Sequence, residues 1–145
     1  MKKTVVIGSD HAGFVLKSFL IRHLSSLGYG MRDMGPDSLN SVDYPDFAKK
    51  TCAMVLEESL PGILICGTGI GMSMAANHIP GIRAALCDNE YLARMTRKHN
   101  NANVLCLGER NIGQELAASV TEVFLETEFE GGRHQRRIDK IECAG

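Results

Sequence analysis

The sequence predicts an α/β protein: a three-layer αβα domain on a five-stranded parallel sheet of order 2-1-3-4-5, with an extra C-terminal helix. Three observations predict it. Short β-branched apolar runs alternate with longer segments of helical periodicity, five times over. Glycine or proline punctuates most of the junctions. No repeat, low-complexity tract or linker breaks the pattern along 145 residues, a length that suits one domain over 1–145. Parallel strands joined by right-handed crossovers place helices on both faces of the sheet.

The elements follow in order. "TVVIG" (Thr4 to Gly8) is a buried strand stopped by glycine. Phe14, Leu16, Phe19, Leu20, His23, Leu24 and Leu27 recur at helical spacing, and Gly28 ends that helix. "YGMRDMG" is a weaker strand suited to a sheet edge, and "PDSLNSVDYP" a polar loop. Pro45 opens a helix with Phe47, Ala48, Thr51, Val55 and Leu56 on its inner face. "GILIC" is the third strand, followed by a helix from Gly69 to His78 in which Met72 and Met74 pack toward the sheet. "IRAALC" is the fourth strand, and the helix from Asp88 to about Asn100 turns Tyr91, Leu92 and Met95 inward. "NVLCLG" is the fifth strand, Gly113 to Glu126 the fifth helix, and "EGG" precedes a basic helix from Arg133 to Ile141. In such a Rossmann-like arrangement the strand order reverses between strands 1 and 3, and ligands bind there, beyond the carboxyl ends. The loops after Gly8 and after Ile65 are therefore expected to form the site together.

Composition narrows the functions. A hydrophobic content of 44% and a charged content of 23% are ordinary for a globular chain. A net charge of −1 argues against nucleic acid or an anionic membrane as partner, since both demand a basic surface. Met-Lys-Lys-Thr and three apolar residues make too short a start for a secretory signal, and no run approaches a membrane span, so the expected location is cytoplasmic. The five cysteines, Cys52, Cys66, Cys87, Cys106 and Cys143, contain no C-x-x-C pair and no zinc spacing. They are expected to be reduced thiols, and Cys52, Cys87 and Cys106 to be small buried hydrophobes.

Two loops carry chemistry. "GSDHAG" (Gly8 to Gly13) sets Asp10 and His11 side by side where a strand becomes a helix. Helix capping accounts for the aspartate; it does not account for His11 directed at the expected crevice. "ICGTGIGMSMAAN" (Ile65 to Asn77) resembles G-x-G-x-x-G but has Met72 where the last glycine belongs, and follows the third strand instead of the first. Its glycines, Gly67, Gly69 and Gly71, let backbone N–H groups converge at a helix start, and Thr68 adds a hydroxyl. Such donors form an oxyanion hole, in which losing one donor costs about 3–4 kcal/mol of barrier. Cys66, at the strand end beside that helix start, is placed to act as a thiolate, either nucleophile or general base.

His99 and Asn100 lie where the fourth helix meets the fifth strand, at the opposite, amino edge of the sheet. If functional, His99 most simply serves the crevice of a second subunit. Arg133 and Arg137 are four apart, hence on one helical face, where they suit a dianionic phosphate. Arg110 follows the fifth strand. His23 and His78 are expected to be structural or surface residues.

Taken together, "GSDHAG", "DYPDFA", "ICGTGIGMSMAAN", "GIRAALC", "RKHNNANVLCLGER" and "EGGRHQRRID" resemble, nearly end to end, the ribose-5-phosphate isomerases of type B, a family shared with galactose-6-phosphate isomerase. Ser9 departs from relatives that carry cysteine there. The resemblance implies interconversion of ribose 5-phosphate and ribulose 5-phosphate, in the non-oxidative pentose phosphate pathway, without metal or organic cofactor. It implies Cys66 as the base, since Met72 stands where another branch has glutamate. By the same similarity His99 opens the furanose ring, and Thr68 belongs with the catalytic group. Asp10, His11, Gly67, Thr68, Gly69, Ile70, Gly71, Asn100, Arg110, Arg133 and Arg137 match substrate-contacting positions. The family forms homodimers with shared sites, or homotetramers.

Two alternatives stand beside this. Another phosphosugar, galactose 6-phosphate or allose 6-phosphate, differs by one carbon in the distance from phosphate to carbonyl. A nucleotide-binding module without catalysis would use Asp88, about twenty residues beyond the glycines, as its ribose-binding acid.

Overall fold

The computed structural model describes residues 2–143. Five parallel strands form one sheet: β1 (Thr4–Ser9), β2 (Gly30–Asp33), β3 (Gly62–Cys66), β4 (Ala84–Leu86) and β5 (Val104–Gly108). Six helices accompany it: α1 (Phe14–Ser26), α2 (Tyr44–Glu58), α3 (Ile70–Asn77), α4 (Glu90–Asn100), α5 (Gln114–Glu126) and α6 (Arg133–Glu142).

Strand periodicity divides the core in two. Val5, Ile7, Ile63, Ile65, Leu105 and Leu107 face one way, onto Leu16, Leu20 and Leu24 of α1 and Val120 and Phe124 of α5. The alternate residues Val6, Leu64, Cys66, Val104 and Cys106 face the other way, onto Ala48, Cys52 and Val55 of α2 and Met72 and Ala76 of α3. Because side chains alternate with period two, Leu64 and Cys66 share a face. Cys66 is thus directed toward the helix that begins four residues after it.

The α/β class, the parallel sheet and its three layers are as the sequence predicts, but the last two strands exchange places. The order is β2-β1-β3-β5-β4, not 2-1-3-4-5. Every residue of β5 is buried, whereas β4 is three residues long and half-exposed. A continuous apolar strand gains most where both faces are covered, and a short one serves best at an edge. β2, exposed along most of its length, closes the other edge as expected.

Several inward assignments also change. Tyr91 is 64% and Leu92 42% exposed, and the buried residues of α4 are Ala93 and Thr96. Met74 points outward while Met72 is fully buried, and Leu56 gives way to Cys52 on the inner face of α2. Met95 is half-buried. Periodicity located an apolar stripe in each case but was read a position or two off its centre.

One buried charge holds the first helix to the sheet edge. Lys17 is 1% exposed, and its ammonium donates to Asp33 Oδ1 and to the Pro36 carbonyl, both at 2.6 Å. Lys17→Met keeps the stem but takes the donor from the buried Pro36 carbonyl and the charge partner from Asp33, whose Oδ1 still accepts from Gly35 N–H at 2.9 Å, so it is expected to destabilise the fold by about 1–3 kcal/mol. Denaturant unfolding measures this; an unchanged midpoint would show that the pair contributes nothing net.

Candidate active site

The sheet reverses between β1 and β3, and the loops beyond these two strands are joined directly. Asp10 N–H donates to the Ile65 carbonyl at 3.1 Å, and Gly13 lies so close to Ile65 that a Cβ would stand 2.5 Å from its carbonyl oxygen. Asp10 is buried, and its Oδ1 accepts from Gly13 N–H at 3.0 Å, so the capping role is realised. His11 is half-buried, and its Nδ1 accepts from Val42 N–H at 3.1 Å. That bond folds the polar loop before α2 across His11 and leaves its other nitrogen for a ligand.

The loop after β3 forms the opposite wall. Cys66 is 5% exposed, and Gly69 N–H donates to its Sγ at 3.2 Å. The sulfur faces the glycine amides, as expected, with one refinement. The Gly69 amide is directed at the thiol and not at a substrate oxygen. Gly69 has φ +82 and caps α3; a side chain there would meet Leu86 and the Leu107 carbonyl carbon. Thr68 is exposed, and its Oγ1 accepts from Ile70 N–H at 3.2 Å. Its hydroxyl proton stays free to donate. The first amides of a helix have no partner within it; Thr68 takes that of Ile70, leaving the Gly71 amide for a ligand.

The strand exchange brings in a third loop. With β5 beside β3, Glu109 N–H donates to the Cys66 carbonyl and Arg110 N–H to the Gly67 carbonyl, both at 2.9 Å. The Arg110 guanidinium then lies over Gly67, 3.2 Å from where a Cβ would be. In the order first expected, an intervening strand would have kept these loops about 10 Å apart.

Tyr44 is a residue the sequence reading passed over. Its ring covers Gly71, where an added Cβ would come within 2.8 Å, and it is 39% exposed. The available signal was its place in "DYPDFA", directly after the polar loop. Glu109 is another: its carboxylate accepts from Leu16 N–H at 2.7 Å, tying the Arg110 loop to the start of α1.

His99, Asn100, Arg133 and Arg137 are not in this crevice. They gather at the other end of the sheet, where α4 runs into β5 and α6 docks against α4. Asn100 is exposed, its side chain accepts from Thr96 Oγ1 at 3.0 Å, and its carbonyl accepts from Arg83 at 2.9 Å. Arg133 and Arg137 are exposed on α6, which Arg83 clamps through Glu142 at 2.6 Å. The candidate residues of one chain therefore fall into two groups: Asp10, His11, Cys66 to Gly71 and Arg110 at the carboxyl end, and the other four at the amino end.

The remaining cysteines contrast with Cys66. Burial pushes the Cys52 thiol up to about 12 and, with Asp88 adding to it, Cys87 to about 11; Cys106, wholly enclosed, lies well above the ordinary thiol range. These three are core hydrophobes. Cys143 is exposed. His23 pairs with Glu122 at 3.0 Å and His78 with its own helix, as structural and surface residues. Among the described residues no helix is long and apolar enough to cross a membrane.

A parallel α/β sheet whose reversal point holds a cysteine, a helix-start amide and an arginine defines a class of enzyme suited to small anionic substrates. A family model described as Ribose/Galactose Isomerase matches residues 5–141. The chain belongs to that family and is an isomerase. It is similar to ribose-5-phosphate isomerase B of Escherichia coli, 43% identical over 140 residues that cover 96% of this chain and 94% of that one. Among solved structures, ribose-5-phosphate isomerase B of Clostridium thermocellum superposes with a TM-score of 0.94 at 49% identity, covering 96% of this chain and 95% of that one. The type B ribose 5-phosphate isomerase of Trypanosoma brucei does so with a TM-score of 0.95 at 46% identity, covering 100% of both chains.

Proposed function

We propose that the protein interconverts ribose 5-phosphate and ribulose 5-phosphate through an enediolate, with Cys66 as the base, as a cytoplasmic enzyme. The observation that carries the mechanism is the 3.2 Å hydrogen bond from Gly69 N–H to Cys66 Sγ. A donor fixed on the sulfur orients it and meets the charge that the sulfur carries as a base. The thiolate takes the proton from C2 of the open-chain aldose, the C1 carbonyl becomes an enediolate oxygen, and the thiol returns its proton to C1 as the C2 carbonyl forms. The O2 proton passes to O1, so the reaction is neutral in atoms and electrons. The Gly71 amide and the Thr68 hydroxyl stabilise the transient oxyanion. Asp10, His11, Gly67 and Ile70 line the sugar, Tyr44 covers it, and Arg110 with Arg133 and Arg137 holds the phosphate away from the reacting carbons, supplying positioning energy. No metal or organic cofactor enters this scheme.

We further propose that each site is built from two chains. His99 and Asn100 act on the substrate held in the partner's crevice, His99 by opening the furanose ring, and the α6 arginines reach it in the same way. Support comes from the separation of the two groups of residues and from large apolar side chains left uncovered. Ile70 (48% exposed), Met74 (63%), Leu86 (38%), Tyr91 (64%) and Leu92 (42%) lie uncovered on α3, β4 and α4. Thr68, Ile70, Leu86, Asp88, Leu92 and Asn111 line a cavity of about 370 Å³ there. In the proposed assembly a second copy covers these residues and brings its own His99 to Cys66. A homodimer is the smallest assembly that does so; a homotetramer would repeat it.

Complementation tests the shared site. Cys66→Ala and His99→Asn dimers, each inactive, are mixed and allowed to exchange subunits. A two-chain site leaves one intact site in each heterodimer, so activity returns to about a quarter of wild type; no recovery would refute sharing. The substrate is tested by comparing ribose 5-phosphate with galactose 6-phosphate and allose 6-phosphate. Turnover confined to the hexose phosphates would reassign it.

A further inference from the structure

The amino-edge group contains a histidine that the proposed reaction does not use. The imidazoles of His99 and His134 lie face to face, with ring centroids 4.3 Å apart and planes inclined by 15°. His99 is half-exposed and His134 is buried. One oxygen of Glu130 stands 3.3 Å from His134 Nε2 and 4.0 Å from His99 Nε2. The shorter contact lies off the ring N–H axis, so His134 Nε2 is enclosed without a hydrogen-bond partner.

The fold is built to make this stack. Gly131 and Gly132 take φ +74 and +60, turning the chain sharply between Glu130 and α6. Glu130 N–H donates to the Lys98 carbonyl at 3.2 Å, which pins the turn to the last part of α4. At its far end α6 is held by Arg83 and Glu142. The result is a rigid imidazole lying against the one histidine that the proposed mechanism requires to move a proton.

Burial alone does not explain His134. A leucine would fill the space without stranding a polar nitrogen. Nor does the trio suit a metal ion. The three groups come within 4.8 Å of one another, but stacked rings send their in-plane lone pairs along parallel lines and not to a common centre. What the arrangement does supply is a flat surface and a charge that together confine the His99 ring.

We propose that His134, backed by Glu130, is a positioning residue for His99: the stack holds the His99 imidazole in the plane from which it opens the sugar ring. This rests on the role given above to His99, and the experiment separates the two. Ribulose 5-phosphate has no free hydroxyl able to close a furanose, because its O5 carries the phosphate. Wash-in of solvent deuterium at its C1 therefore reports proton abstraction without ring opening, while turnover of ribose 5-phosphate requires both.

His134→Leu is expected to lower kcat on ribose 5-phosphate about tenfold with KM within about twofold and deuterium wash-in nearly unchanged. His134→Phe, which restores a flat face, is expected to recover to within about threefold of wild type. Glu130→Ala, at an exposed residue whose loss leaves the core intact, is expected to lower the same kcat about threefold. Wild-type turnover in both His134→Leu and Glu130→Ala would overturn the proposal. So would equal losses in the leucine and phenylalanine variants, or a parallel loss of wash-in, which would mark a merely structural role. His99→Asn is the control: if it keeps full ribose 5-phosphate turnover, the role of His99 itself fails, and the positioning of that ring with it.

Discussion

Cys66→Ala is expected to lower isomerisation of ribose 5-phosphate by about 10²–10⁴-fold, the range that a positioned acid or base contributes. The loss should fall on kcat, because the thiol is asked for proton transfer while the arginines hold the phosphate. Deuterium wash-in at C1 of ribulose 5-phosphate should disappear with it, which distinguishes the base from the ring-opening group. Stability should change little. Cys66 is a small residue at the edge of its cluster, and deleting one sulfur costs on the order of 1 kcal/mol. Thermal unfolding together with single-substrate kinetics checks both halves. Wash-in persisting at the wild-type rate would end the assignment of Cys66 as base.

Gly69→Ala comes next in size, because one methyl disturbs two things. The residue has φ +82, a conformation that costs an ordinary side chain about 1–2 kcal/mol. Its Cβ would also stand 2.5 Å from Leu86 Cδ1 and 2.9 Å from the Leu107 carbonyl carbon, and the second of these cannot move without β5. The loop must therefore shift, taking with it the amide that donates to Cys66 Sγ. Loss of a hydrogen bond to a charged sulfur, about 1.5–3 kcal/mol, is expected to lower kcat about 10–100-fold. Gly67→Ala is the matched comparison. Its Cβ would meet only the flexible end of Arg110, at 3.2 Å, so a rise in KM of a few-fold is expected with kcat nearly intact. Equal effects of the two substitutions on kcat would show that general loop packing, and not the Gly69 amide, is what the chemistry needs.

The two glycines show how far the sequence was legible. Their presence behind "GILIC" identified a loop of convergent amides, since glycine permits both positive φ and close approach. Which amide meets the sulfur and which remains for the substrate depends on the direction in which α3 leaves the loop. Tyr91 and Leu92 show a different limit. A helical repeat of apolar residues reports that a face avoids water without saying what covers it, so residues left open on one chain were read as core.

The sequence alone determined the alternation of strands and helices and the place of Cys66 at the end of a strand, beside a helix start. These follow from periods of two and 3.6 residues and from local backbone preferences, and both are written in neighbouring residues. Only the tertiary structure decided that β5 lies inside β4, that Arg110 therefore crosses Gly67, and that His134 lies against His99. Each of these depends on which of several apolar surfaces buries the most area against a distant part of the chain. That competition is global, and no short window of residues contains its outcome.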